Sequence, residues 1–567
     1  MNRHWLVKRT NPEFLKYLSD KLSISATVAQ ILVNRGIKEP DSIKDFLYPS
    51  LNNLCDPLLM PDMKDAVERI KTAINRSETV FVHGDYDADG VTSTALLVSA
   101  LRRLGLKTFY HIPNRFTEGY GVSSKGIGKA RLCGAGLIIT VDCGISSGVE
   151  IASARSIGID VIVTDHHEPP EQLPEATAVI NPRRADSEYP FKCLAGVGVA
   201  FKLVQALFQS MEQRGEKADL NEYLDLVALG TVADSVALTG ENRILAAYGL
   251  KEINSEKCRA GIKALRDSAN IEGELRAGQL SYTLIPRINA AGRVDDAGVV
   301  VELLLTQDNG EAKRIADILE EQNRERQKIG EKVFRSALNM VDPDNPGNAI
   351  VLSSAEWHPG VIGIVASRLV ELFYRPVFLF SVKDSMAKGS ARSIPPFHLY
   401  NGVAECADIL IAFGGHGQAA GIKILSENLP VFRERISLIA EKSLSGDEIT
   451  PVLNIDASVE LSDIKIDLVK ELSLLEPYGE ANREPLLGAK SVKMMDYRVV
   501  GNGHLKMRAL QNNSGIDTIG FGKGDIMKKI SMTAAADIAF VPCMNEWNGI
   551  KSLQLNLKAI RPSAENS

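Results

Sequence analysis

A chain of 567 residues, 45% hydrophobic and 24% charged, is long enough for several cored domains. Its net charge of -6 excludes a surface that binds polyanions everywhere, so any nucleic acid would have to follow a local basic track. No apolar run reaches the roughly 18 residues that span a bilayer, the opening MNRHWLVKRTNPEF lacks the apolar core of a secretory leader, and seven scattered cysteines without a CxxC pair argue for reduced cytosolic thiols and against a disulfide framework or a thiolate zinc site.

Residues 1–60 read as an N-terminal segment of short helices ending in the turn-rich YPSLNNLCDPLLMPD. From 61 to 250, short apolar stretches (TVFVHGD, KTFYHIP, GLIITVD, DVIVTDHH, TAVINP) alternate with helical ones such as GVTSTALLVSALRRLG. That alternation predicts an α/β lobe with a mostly parallel sheet, a class that carries functional residues just past the carboxyl ends of its strands. Residues 251–340 read as a helical connection ending in EAKRIADILEEQNRERQKIGEKVFRSALNMV. Unbroken, that last pattern would reach about 45 Å. Its polar middle suits a helix joining two lobes, with Gly330 the place where it could be interrupted.

A second α/β lobe is expected over 341–447, where NAIVLSS and RPVFLFSV flank a helix opened by WHPGVIGIVASRLVELF. From 448 to 567 the pattern turns to period two in LNIDASVEL, GHLKMRAL, DIAFVPCM and SLQLNLKAI, and WNGI carries a hairpin dipeptide. Short alternating strands on this scale predict a small closed all-β barrel of the OB type. In HLKMRAL, Lys506 and Arg508 share the face opposite Leu505, Met507 and Ala509, a wet face or a phosphate-contacting one.

The densest chemistry follows the first strand of the first lobe. HGDYDADG sets Asp85, Asp87 and Asp89 two apart, where they repel one another and are costly to bury unpaired. Asp142 follows a second apolar run, Asp165, His166 and His167 a third, and Asp234 ends the helix-like LDLVALGTVADSVAL. Taken singly, each is an ordinary turn residue or cap. Four strand or helix ends tipped with hard oxygens and imidazole, and no thiolate, predict one centre for two Mn²⁺ or Mg²⁺ ions. Ions about 3.5–4 Å apart neutralise such carboxylates and align a hydroxide with phosphorus, and the lowered pKa of metal-bound water removes the need for a separate general base. The reaction class is metal-assisted phosphoester hydrolysis.

These residues resemble the DHH phosphoesterase superfamily, whose name-giving triplet is Asp165–His167 here. HGDYDADGVTS, VDCG, TDHHEP and ADSVAL stand in that family's order and spacing. PRINAAGR (Pro286 to Arg293), WHPGVIGIVASRL, GSARS, GGHGQAAG and the tail's LEPYGEANREP fit its branch of single-strand exonucleases with a DHHA1 domain. The resemblance implies that Asp87, Asp89, Asp142, His166 and Asp234 are metal ligands, with Asp85 and His83 beside them as ligands or supports. It implies that His167 faces the scissile phosphate while Asp165 orients a histidine. Arg115, Ser390, Arg392 and His416 would hold the 5′ end of the strand, and Arg287, Asn289 and Arg293 would line a cleft between lobes, with His358 a further contact. The glycines of GGHGQAAG, Gly415 among them, would offer unobstructed N–H groups at the start of a helix, and Arg392 suits bidentate phosphate binding.

The implied activity is 5′-to-3′ degradation of single-stranded DNA to mononucleotides in recombination and repair. It would belong to a monomeric cytoplasmic enzyme, not membrane-bound, working with single-strand-binding protein and a RecQ-type helicase. Two other readings compete. A phosphoesterase of short oligonucleotides or cyclic dinucleotides would need no tail barrel, and a non-catalytic replication scaffold should have lost ligands that are all present here.

Overall fold

The computed structural model describes residues 4–212, 219–444, 450–528, 535–547 and 549–563. These described residues fall into two compact units: those within 5–285, 304–307 and 454–563, and residue 4 with those within 286–303 and 308–453. Among the described residues no helix is long and apolar enough to cross a membrane.

A short strand β1 (His4–Val7) precedes helices α1 (Pro12–Leu22), α2 (Ala26–Asn34) and α3 (Pro40–Leu47). Asn11 and Ser25 cap the first two with side-chain oxygens, satisfying N–H groups that a helix start leaves open. Helix α4 (Met63–Arg76) leads into the first sheet, whose strands β2 (Thr79–His83), β3 (Thr108–His111), β4 (Ala135–Val141), β5 (Asp160–Thr164) and β6 (Ala178–Ile180) are all parallel in the order β3-β2-β4-β5-β6. Helices α5 (Ala88–Arg103), α6 (Ser124–Leu132), α7 (Gly148–Ser156), α8 (Gly196–Glu212), α9 (Leu224–Ala233) and α10 (Gly240–Ile253) belong to the same lobe. Val80, Phe81 and Val82 of β2 are all buried, the continuous apolar run that a sheet covered on both faces requires. The strand order reverses at β2, so the loops after β2 and β4 part there and open a crevice at the carboxyl edge.

Helices α11 (Ala260–Ser268), α12 (Ala277–Gln279), α13 (Ile285–Val294) and α14 (Gly298–Leu305) follow. Leu280–Leu284 winds as a π-helix just ahead of Pro286, which has no N–H to return to the preceding turn. Helix α15 (Asn309–Leu338) is one 30-residue run, capped by Asp308 on the Glu311 N–H and unbroken at Gly330. The second lobe has strands β7 (Ile350–Ser354), β8 (Val377–Lys383), β9 (Met386–Arg392), β10 (Leu410–Gly415) and β11 (Ala419–Leu425) in the order β10-β11-β9-β8-β7, parallel only between β7 and β8. Its helices are α16 (Ile362–Phe373), α17 (Leu399–Ala404) and α18 (Leu429–Ser443).

One expectation is corrected here. GGHGQAAG does not start a helix; it is the turn of the β10–β11 hairpin, where His416 N donates to Ala419 O at 2.8 Å. Gly415 has φ 145, and a Cβ there would lie 2.3 Å from Ala419 O, so the glycine serves close strand pairing.

The tail holds β12 (Val452–Ile455), β13 (Ala457–Ser458), α19 (Ile466–Ser473), β14 (Leu487–Val500), β15 (His504–Gln511), β16 (Ser514–Gly520), β17 (Ala536–Trp547) and β18 (Ile550–Pro562). Pairing of β14 with β17 closes the ring β14-β15-β16-β18-β17, a five-stranded barrel as expected. Trp547 pairs with Ile550; Asn548 of the WNGI hairpin lies outside the described residues. Leu505, Met507 and Ala509 point into the barrel while Lys506 and Arg508 do not.

The N-terminal helices share a core with this barrel. Leu18, Val28, Ile31 and Ile43 pack in one cluster with Leu487, Leu505, Met507, Ile538 and Phe540. Ser25 N donates to Glu471 Oε2 at 2.8 Å, Asn34 Nδ2 to Asp456 O at 2.7 Å, and Arg35 to Asn482 and to Arg483 O. Arg243 on α10, 1% exposed, donates to the carbonyls of Phe46, Leu474 and Leu475 at 2.8–2.9 Å and so pins both pieces to the first lobe.

A candidate metal centre and its supports

The loop after β2 turns directly into α5. Asp87 caps that helix, accepting from the N–H groups of Asp89 at 3.0 Å and Gly90 at 3.1 Å. A Cβ on Gly90 would lie 2.5 Å from Asp85 O, so only glycine lets the turn close this tightly. Asp89, 1% exposed, accepts from Gly196 N at 2.7 Å and Val197 N at 2.9 Å. These are the first N–H groups of α8, whose positive end favours a carboxylate.

Asp142 follows β4 in a left-handed conformation at φ 59, a strained state for a non-glycine residue that clusters at functional sites. A Cβ on Gly196 would lie 2.4 Å from its Oδ1. Past β5, Asp165 Oδ1 accepts from His166 N at 2.7 Å, from His167 N at 3.1 Å and from His167 Nδ1 at 2.7 Å, and its Oδ2 accepts from Ile145 N at 2.9 Å. Asp234 is the C-cap of α9.

Three overlapping groups have ligand atoms all within 4.8 Å of one another: Asp85, Asp87 and Asp142; Asp142, His166 and His167; Asp89, His166 and Asp234. Asp142 and His166 each belong to two of them. His166 Nε2 stands 3.2 Å from Asp142 Oδ1 and Nδ1 3.7 Å from Asp234 Oδ2, yet neither contact is a hydrogen bond. Asp85 Oδ1, Asp142 Oδ1, Asp234 Oδ2 and both His166 nitrogens are buried without a hydrogen-bond partner. Such orphans are rare in a folded protein, because each costs about 1–3 kcal/mol, more when charged.

Electrostatics agree. Burial, then the Asp87 charge, pushes the Asp89 carboxyl up to about 7, and burial with Asp89 and Asp87 pushes Asp234 up to about 9. Asp85 and Asp142 are raised by burial and by neighbouring carboxylates. Burial, then His167, lowers His166 to about 4, so its ring is a neutral ligand. Burial acts most strongly on Asp165 too, against its charged form, but the His167 hydrogen bond and charge, together with the Ile145 and His167 N–H groups, outweigh it and hold its pKa below the usual carboxylate range. The protein therefore gathers carboxyl groups that resist ionising beside one another and that a cation would allow to ionise, and the donor set, all oxygen and imidazole, fits Mn²⁺ or Mg²⁺.

His83 joins none of the three groups. Its Nε2 accepts from Ser123 N at 3.3 Å and its ring meets His111 edge-on at 5.5 Å. Arg115 lies with its guanidinium 5.1 Å from the Tyr86 ring centre. In the other unit, Arg392 Nη1 donates to Ser390 Oγ at 3.3 Å, and a Cβ on Gly363 of α16 would touch both side chains. Ser390 pairs with Gly421 and Arg392 with Ala419 across β9 and β11, next to the hairpin that carries Gly415 and His416. Arg293 donates to Gly360 O at 3.0 Å and His358 Nδ1 accepts from Gly360 N at 3.1 Å. Arg287 is paired with Glu320 at 2.7 Å, and Asn289 sits half-buried on α13.

Sequence reasoning missed three supports. The α8 N-terminus at Gly196 and Val197 grips Asp89. Tyr120 Oη lies 2.9 Å from His167 Nδ1. Glu118 accepts from Ser123 Oγ at 2.7 Å and from Asn114 N at 3.1 Å and lies 2.9 Å from His111 Nε2, anchoring the loop that bears Arg115 and Tyr120. The glycine pairs in EGYG and AGVG were the only trace of the first two.

Known proteins match along the whole chain. The DHH family N-terminal domain matches residues 79–231, the DHHA1 domain 347–442 and the RecJ OB domain 455–559. The single-stranded-DNA-specific exonuclease RecJ of Bacillus subtilis (strain 168) is 40% identical, covering 98% of this chain and 70% of its own. The enzyme of that name from Escherichia coli (strain K12) is 36% identical, covering 94% and 95%. The crystal structure of Thermus thermophilus RecJ in complex with Mn²⁺ superposes with a TM-score of 0.84 at 32% identity, over 99% of this chain and 80% of that one. Its complex with Mg²⁺ gives 0.77 at 30% identity, over 99% and 79%.

Proposed function

The chain belongs to the RecJ family of single-stranded-DNA-specific exonucleases, and from that premise we propose that it shortens single-stranded DNA from the 5′ end, releasing mononucleotides by two-metal hydrolysis. The observation that carries the chemistry is the set of buried, unpartnered oxygens and nitrogens on Asp85, Asp142, His166 and Asp234. Bound Mn²⁺ or Mg²⁺ supplies a hydroxide nucleophile near neutral pH and positive charge for the phosphate. Asp87, Asp89, Asp142, His166 and Asp234 would hold the two ions, and Asp85, grouped with Asp87 and Asp142, would hold or support one of them.

Asp165 fixes the ring of His167, which faces the scissile phosphate, and His83 supports the turn from behind. Arg115, Ser390, Arg392, His416 and the Gly415 backbone grip the strand's 5′ end. Arg287, Asn289, Arg293 and His358 steady the strand or the elements around it. The division into an N-terminal segment (1–60), catalytic lobe (61–250), helical connection (251–340), second lobe (341–447) and barrel (448–567) follows the same logic, with the barrel holding strand by backbone contacts and stacking. The enzyme acts as a cytoplasmic monomer in recombination and repair, on strands handed over by single-strand-binding protein and a RecQ-type helicase.

Single strands labelled at the 5′ or 3′ end, beside the matching duplex, test this reading with Mn²⁺ and with chelator. The expected result is immediate release of the 5′ label as mononucleotide, metal dependence, and little cutting of the blunt duplex. Faster cleavage of a dinucleotide than of a long strand, or first release of the 3′ label, would sink it.

A further inference from the structure

We propose that Tyr120 is a positioning residue for His167, its hydroxyl tying the His167 ring to the main chain of Asp142. The inference rests on the reaction proposed above and adds a residue from outside the acid and histidine motifs.

Tyr120 lies in EGYG, in the loop between β3 and α6. The flanking Gly119 and Gly121 have φ 87 and 93, a region that L side chains rarely adopt. This double turn places Oη 2.9 Å from His167 Nδ1 and 3.4 Å from the carbonyl oxygen of Asp142, with the two rings edge-on at 5.4 Å. The loop cannot drift easily, since Glu118 clamps it to Asn114, Ser123 and His111.

The hydrogen positions follow from the partners. His167 Nδ1 carries one proton and faces two oxygens, Asp165 Oδ1 at 2.7 Å and Tyr120 Oη at 2.9 Å. An ionised carboxylate can only accept, so the N–H is shared between it and the tyrosine oxygen. That leaves the phenol proton to donate to Asp142 O. A bond to Asp165 alone would let the imidazole swing about one axis; a second oxygen off that axis fixes the ring plane. Both polar contacts use Nδ1, so Nε2 is the nitrogen left for a phosphate oxygen.

Tyr120→Phe keeps the ring and removes only the oxygen. On a long single strand kcat should fall roughly tenfold, the loss of about one hydrogen bond to a charged group, while KM and strand affinity stay the same. In a His167→Ala background, Tyr120→Phe should cost nothing further, because the ring it positions is gone. In metal-free protein with ¹⁵N-labelled histidine, the His167 Nδ1–H signal, assigned by its loss in His167→Ala, should move in Tyr120→Phe, which reads the bond without turnover.

A silent Tyr120→Phe beside a crippled Tyr120→Ala would make the half-exposed ring a base-stacking surface and overturn the inference. An undiminished loss from Tyr120→Phe in the His167→Ala background would overturn it equally, as would an unmoved signal. A wild-type protein that leaves the strand intact would sink the proposed reaction instead.

Discussion

In the first lobe the parallel strands end in side chains sealed from water: Asp85, Asp89, Asp142 and His166 are 3%, 1%, 2% and 6% exposed. In the second, strand β9 carries Ser390 and Arg392 half-buried, and the turn between the antiparallel strands β10 and β11 carries His416 exposed. The difference follows from what each group has to do. A carboxylate centre attracts a divalent cation strongly only where water and the protein's own cations are kept away, so it must accept unpartnered buried oxygens. A grip on a long anionic strand has to admit and release its ligand, so its donors stay near solvent and lean on the backbone, as Arg392 does on Ala391 O at 2.8 Å. The first lobe should therefore govern chemistry and the second affinity.

The sharpest way to break that comparison is Asp142→Ala. It should lower kcat by at least about 10³-fold by dismantling two of the three ligand groups, and it should abolish any cation-induced rise in melting temperature. Full activity after this change would remove the metal assignment. Arg392→Ala comes next: loss of a charge-assisted phosphate contact should raise KM for a 5′-phosphorylated strand by roughly 10–100-fold, with kcat and cation-dependent melting unchanged. A shift in metal response here would erase the distinction between the lobes. Gly196→Ala places a methyl group 2.4 Å from Asp142 Oδ1, and it should lower kcat by about tenfold while leaving strand affinity intact.

The smallest effect is a pH dependence. Asp89 and Asp234, at about 7 and about 9, are raised above the unfolded value of about 4. Their protonated forms therefore favour the folded metal-free protein at low pH, and that stability is lost as pH rises through 7 and 9. Cations bind the ionised forms and compete with protons. The Mg²⁺-induced rise in melting temperature should thus grow by a few degrees between pH 6 and pH 9. An Arg392→Ala protein should show the same curve, and a flat one in the wild type would count against a carboxylate centre.

The lobes and the barrel were legible because strand and helix periods are local, and the acids were legible because they stand just past apolar runs. The β10–β11 hairpin was misread as a helix start, since adjacent glycines suit either a tight turn or an open helix end, and only the pairing of Gly415 with Ala420 separates them. The grip of Gly196 and Val197 on Asp89 spans 107 and 108 residues, and the reach of Tyr120 to His167 spans 47. No local pattern encodes either. His83 read as a ligand or a support because it adjoins the acids in sequence; its Nε2 accepts from Ser123 N, while its Nδ1 is buried without a hydrogen-bond partner.

The shared core of the N-terminal helices and the tail barrel has a consequence for synthesis. Ser25, Asn34 and Arg35 meet partners 446, 422 and 447 residues later in the chain. At 5–20 residues per second, the helices wait roughly 20–90 s on the ribosome before the surface they pack against exists. Until then Val28, Ile31 and Leu32 have only the neighbouring N-terminal helices to cover them, so a nascent chain stalled before the barrel should be the form that chaperones hold and proteases find first.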